Sequence, residues 1–101
     1  MELNIGNKTI TSVDFSDVES AWRIEDAILV LEYMGDENKI VLGGDILTNE
    51  LVHNYDSWYY NMESNQSYQL NVECSIKLAY EYITHYVEMN GNAFYVVFVV
   101  T

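Results

Sequence analysis

The run AFYVVFVV at positions 93–100 constrains this chain more than any other stretch. It is apolar at every position and holds neither a charge nor a proline. A strand with one wet face alternates apolar and polar residues, because successive side chains point to opposite sides. A strand with no polar position must therefore be covered on both faces. It also lacks the charges and prolines that protect a sheet edge, so it is expected to be paired on one side and shielded on the other. The rest of the chain has to build layers around it.

The segment before it supplies one layer. Val72, Ile76, Ala79, Ile83 and Tyr86 recur at spacings of four and three, with Tyr80 and Val87 broadening the stripe. That period predicts a helix over 67–90, closed by Gly91 in a left-handed cap. Glu73, Lys77 and Glu81 stand four apart on its exposed side, a spacing suited to weak pairing. Upstream, two β-rich runs at 39–47 and 51–60 flank a turn at 48–50, which predicts an antiparallel hairpin. Gly43 and Gly44 inside the first run point to a bulge or a close backbone approach. A first helix is expected over 21–34, with Ile24, Ile28 and Leu31 on one face, Ala27 and Met34 widening it, and Gly35 as its stop. SDVE at 16–19 has capping-box spacing, pairing Ser16 with Glu19. Residues 1–20 otherwise read as loop or short strand. The expected class is α+β, one domain over 1–101 in the order α-β-β-α-β, with a three-stranded antiparallel or mixed sheet packed with two helices.

Charge narrows the partners. Sixteen Asp and Glu against four Lys and Arg give a net charge of −12 over 101 residues. Such a surface repels phosphate backbones and anionic lipid, so neither nucleic acid nor membrane is an expected partner. It attracts a basic protein and speeds the encounter. The plainer reading is that acidity keeps the chain soluble. Cys74, the single cysteine, cannot form an internal disulfide, which suits a reducing, cytoplasmic setting. No apolar run is long enough to span a bilayer, and no basic-then-apolar start suggests a secretory signal.

Reactive chemistry is poorly served. His53 and His85 are the only histidines, and neither neighbours a recognisable nucleophile. His53 and Asp56, three apart on a strand, point to opposite faces and cannot share a metal. GGD at 43–45 lacks the lysine and following helix of a phosphate loop, and no calcium-loop spacing exists. No catalytic residue, metal or cofactor is expected. Cys74 reads as packing beside Leu70 and Leu78, and Tyr80, Tyr82 and Tyr86 as helix packing. The stretch HNYDSWYYNM at 53–62 is different. On a strand, Tyr55, Ser57 and Tyr59 share one face, and Asp56, Trp58 and Tyr60 the other. One set can be buried under the helices. The other is either covered by the N-terminal segment or left as an aromatic patch of the kind that dominates interfaces. Trp58 is expected inside, Asp45 or Asp56 is expected to fix nearby donors, and Tyr59 or Tyr60 is expected to be the more exposed ring.

Three stretches taken together resemble a known family. IVLGGDIL at 40–47, YDSWYYN at 55–61 and AYEYITHY at 79–86, followed by the apolar strand, are similar to immunity protein family 40 of bacterial polymorphic-toxin systems. The likeness covers 21–100 and matches at Gly43, Gly44, Asp45, Tyr55, Asp56, Trp58 and Tyr59. It departs at Ser57, where the family pattern has Asn, and around Trp22. The resemblance implies a non-enzymatic protein that blocks a cognate toxin by stoichiometric binding. The charge agrees with a basic toxin, since a nuclease must carry basic surface for its substrate. Rings and carboxylates at the hairpin make Asp45, Asp56, Tyr59, Tyr60, Met62 and Glu63 the expected partner-binding residues, with Gly43, Gly44, Tyr55 and Trp58 as the structural motif. The alternatives are an acidic adaptor or nucleic-acid-mimicking inhibitor of another basic protein, and a small hydrolase or metal-dependent enzyme.

Overall fold

The computed structural model describes residues 1–17 and 19–101. In chain order, β1 (Glu2–Ile5) and β2 (Lys8–Thr11) form a hairpin, and β3 (Val13–Asp14) and β4 (Ser20–Arg23) follow. A 3-10 turn over Ile24–Asp26 enters α1 (Ala27–Asp36). A second hairpin of β5 (Val41–Thr48) and β6 (His53–Tyr59) precedes α2 (Tyr68–Asn90) and β7 (Phe94–Val100). The main sheet is fully antiparallel, in the order β3-β4-β7-β5-β6, with β1 and β2 as a separate two-stranded sheet. The expected three strands are its β7-β5-β6 part. Two further strands extend it beyond β7, so the α+β class stands while the three-stranded sheet and the α-β-β-α-β order are corrected.

The central strand explains its own composition. β7 is hydrogen-bonded on both sides, to β4 and to β5, rather than on one. Val96, with Phe94, Phe98 and Val100, packs toward the helices, while Val97 is buried in a smaller cluster on the opposite face. Each face of β7 thus has an apolar neighbour.

The same two-sidedness hid β4. Ala21 and Trp22 are both buried, but on opposite faces: Ala21 beside Leu47 and Val97, Trp22 beside Leu3, Ile10 and Val30. A strand buried on both faces loses the alternation that marks it, and the helical spacing of Ile24, Ala27 and Leu31 runs straight on from it. Residues 21–23 are therefore strand, and the first helix starts at Ala27. Ser16 and Glu19 close the β3–β4 turn instead of capping a helix. The Ser16 amide donates to the Glu19 carbonyl at 3.3 Å, and its hydroxyl donates to the Glu19 carboxylate at 3.3 Å. Val18, between them, lies outside the described residues.

Gly35 does not end α1. It lies within the helix, where an added Cβ would stand 3.0 Å from Ile76 Cδ1 of α2, so it serves the close approach of the two helices. The left-handed position falls to Asn38, at φ 59°. α2 begins as its sequence predicts, with the Ser67 hydroxyl accepting from the Leu70 amide at 3.1 Å. Its buried stripe includes two polar residues, Asn71 and Ser75. Ser75 ties helix to sheet: its hydroxyl accepts from the Val41 amide at 2.9 Å and donates to the Val72 carbonyl at 2.9 Å. Both helices lie on one side of the main sheet, and the β1–β2 hairpin packs there too, against Trp22 and Val30. The other side of the sheet is left to the residues of the site.

Candidate partner-binding site

The site is the β5–β6 hairpin, and glycine and tryptophan shape it first. The Trp58 indole lies directly on Gly44, where an added Cβ would come within 2.4 Å of Cη2. At Gly43 an added Cβ would stand 2.4 Å from the Trp58 carbonyl oxygen, so the two strands can approach only without a side chain there. β5 also bulges against β7 between Val41 and Gly43. Trp58 is buried, stacked on Tyr82 with ring centroids 4.9 Å apart and edge-on to Phe98 at 6.0 Å. Tyr86 continues the stack from Tyr82, and Phe94 closes it edge-on at 5.3 Å. The indole N–H is buried without a partner among the described residues, so packing supplies what Trp58 contributes.

β6 then leaves its register. Asp45 pairs with Ser57 but Leu47 pairs with His53, so two extra residues of β6 bulge out over 54–56. The bulge is held from behind by the long helix. The Tyr86 hydroxyl donates to the Asp56 carboxylate at 2.8 Å and accepts from the Asn54 side-chain amide at 2.7 Å. Asn54 Oδ1 in turn accepts from the Asp56 amide at 3.0 Å, an Asx turn. Burial, then the hydrogen bond to Asp56, pushes the Tyr86 hydroxyl above its usual pKa. Tyr82 is raised too, by burial and then by the Asp56 charge. Between the two anchored residues, Tyr55 is forced to φ 69° and is 92% exposed. Positive φ is unusual for a bulky residue and is held only where its surroundings impose it.

The loop after β6 is pinned in the same manner. The buried Asn71 side chain accepts from the Tyr60 hydroxyl at 2.7 Å and the Glu63 amide at 3.0 Å, and donates to the Glu63 and Ser67 carbonyls. Met62 and Glu63 stand exposed on this framework.

Strand alternation divides the candidates between the two sides of the sheet. Asp56, Trp58 and Tyr60 face the helices, and the Asp56 and Tyr60 polar groups are engaged there. Asp45, Ser57 and Tyr59 face the open side. Tyr59 is 74% exposed, while Asp45 is partly buried and its side chain makes no hydrogen bond or ion pair among the described residues. Phe15 and Leu51 cover the end of this side around Leu47 and Val97, with Phe15 edge-on to His53 at 5.3 Å. The end around Tyr59 and Val99 is uncovered. His53 therefore sits on the opposite side from the Asp56–Tyr86 contact, and among the described residues no three His, Cys, Asp or Glu side chains group as a metal site. On α2, Lys77 makes no ion pair with Glu73 or Glu81; the three line a groove of about 600 Å³ with Val72, Ile76 and Tyr80.

Asn54, Asn71 and Tyr86 do the positioning, and none is among the expected site residues. A signal existed for two of them. Asn71 falls in phase with the buried stripe of α2, where a polar residue needs a partner, and Asn54-x-Asp56 is an Asx-turn spacing.

The hairpin thus holds Asp56 and Tyr60 on the helix side and leaves Tyr55 and Tyr59 exposed. The model of the family Immunity protein 40 matches residues 9–100, and the chain belongs to that family. The match takes in β2 to β7 and reaches further toward the N-terminus than the likeness over 21–100 suggested. No curated protein and no solved structure matches the chain. No helix among the described residues is long and apolar enough to cross a membrane.

Proposed function

We propose that the chain neutralises a cognate bacterial toxin in the cytoplasm of the cell that makes it, by stoichiometric binding and without catalysis. Family membership supports the immunity role. The observation that supports binding at the hairpin is the bulge at 54–56, which Tyr86 holds so that Tyr55 stands in solvent on the same hairpin as the exposed Tyr59. Holding a bulky residue at positive φ costs on the order of 1–3 kcal/mol, a strain usually found where function uses it. Of the expected contact residues, Asp45 and Tyr59 face the open side and are the proposed contacts. Asp56 and Tyr60 are engaged by α2 and hold the bulge and the loop that carry Tyr55, Met62 and Glu63 at the margin, while Gly43, Gly44 and Trp58 shape the hairpin.

The partner is basic, and a toxin that acts on nucleic acid fits, because it needs cationic surface for its own substrate. A net charge of −12 would draw it in and orient it. Imitation of a nucleic acid is less well supported, since it calls for rows of carboxylates. The row of the open face that contains Asp45 continues through Ser57 on one side and Val97 on the other.

Co-expression tests this reading. Cells producing the C-terminal toxin module encoded beside this chain should survive when the chain is supplied, and the two should co-purify. Unchanged killing in cells that contain the folded chain would refute it.

A further inference from the structure

On the open side of the sheet, Val99, Gly43 and Tyr59 form one row across three strands. Tyr59 and Val99 are exposed on either side of the buried Gly43. Asp45 lies in the next row, two residues along β5 and about 7 Å away, flanked by Val97 and Ser57. Asp45 is partly buried, and its side chain has no hydrogen-bond or ion-pair partner among the described residues.

Resting on the immunity reading, we infer that the face formed by Tyr59, Val99 and Asp45 receives a lysine or arginine of the toxin. The methylene stem would lie across the exposed Tyr59 ring and Val99, with the cationic head on Asp45. Each part answers to a physical need. A half-buried carboxylate with Val97 on one side gains from a cation that also excludes water. Long cationic side chains bury their stems on apolar surface while the head reaches a charge, and a tyrosine ring attracts a cation within about 6 Å. The same side of the sheet already holds one such arrangement internally, with the Arg23 guanidinium 5.8 Å from the Tyr95 ring centroid.

The geometry also says how the partner does not dock. β6 is an edge strand, but its bulge at 54–56 interrupts the ladder that an added strand would need. The toxin therefore meets the face of the sheet, with Tyr55 at the margin of the contact. A second copy of this chain is a poor occupant. It would bring Asp45 and a net charge of −12 against the same, and two of its four cations, Lys8 and Arg23, are already paired with Asp26 and Glu25.

The test measures affinity for the cognate toxin module by calorimetry, with the full chain. Asp45→Asn keeps the shape, and Asp45 has no internal partner to lose, so it should melt with the wild type yet bind roughly 30-fold or more weakly. Tyr59→Ala should bind roughly tenfold or more weakly. A double Glu73→Gln, Glu81→Gln variant on α2 should bind as the wild type does. Wild-type affinity in Asp45→Asn would overturn the proposal while leaving the immunity reading intact, as would loss of binding confined to the α2 variant. Self-association of the wild type, abolished by Asp45→Asn, would give the face to a second copy and overturn it too. A wild type that neither binds nor protects against the toxin would overturn the immunity reading and this inference with it.

Discussion

Gly44 and Trp58 share one space, and neither is free to change without the other. The indole fills the room that the missing Cβ leaves, then stacks on Tyr82 and meets Phe98 edge-on, so β5, β6, β7 and α2 converge on a single ring. Truncation removes that convergence and leaves a cavity the glycine cannot fill. Trp58→Ala should cost about 3–5 kcal/mol, read as a lower urea midpoint, and melting that matches the wild type would contradict it. This much of the site was legible. A glycine pair inside a β-rich run and a tryptophan in the opposing run already imply close approach and a buried ring. The fate of Tyr55 was not. Its exposure depends on the bulge, and the bulge depends on Tyr86, a hydroxyl thirty residues further along that no local pattern on β6 announces.

At the scale of elements, α2 is the scaffold for everything β6 presents. Asn71, Ser75, Tyr82 and Tyr86 descend its buried side and hold, in turn, the 60–67 loop, β5, Trp58 and the bulge. Two of these groups titrate upward from the ordinary tyrosine pKa of 10.0, both through burial first and Asp56 second. The sign follows from which state releases its proton earlier. Above pH 10 the unfolded tyrosines ionise while the folded ones stay protonated, so their contribution is complete below that pH and is lost as pH rises through the folded values. Unfolding free energy should therefore fall with pH above about 10. Tyr86→Phe should flatten part of that fall, because one of the groups no longer titrates, and should weaken the neutral-pH fold by about 1–2 kcal/mol. An alkaline slope identical in the two proteins would remove Tyr86 from this role. α2 was readable in sequence because one face is wet, which preserves its period. β4 was not, because Ala21 and Trp22 are buried from opposite sides, and the short β1, β2 and β3 are too brief to show any period against their Asn, Thr and Gly.

For the whole molecule, the two sides of the sheet divide the work. One is closed by both helices and the first hairpin, which supply the core. On the other, Phe15 and Leu51 close one end, while Tyr59 and Val99 stand exposed at the other with Asp45 half-buried beside them. Under the proposed function, excess negative charge raises the rate at which a cationic toxin arrives without needing any one ion pair. Protection, under that same proposal, comes from occupancy, one chain on one toxin, and not from chemistry done to the toxin. Titrating purified chain into a fixed amount of active toxin, at concentrations well above the dissociation constant, tests it directly. Activity should fall linearly to an endpoint at about one equivalent, since tight inhibitors deplete their target stoichiometrically. Complete inactivation by a small fraction of an equivalent, growing with time, would mean that the chain acts as a catalyst and would contradict it.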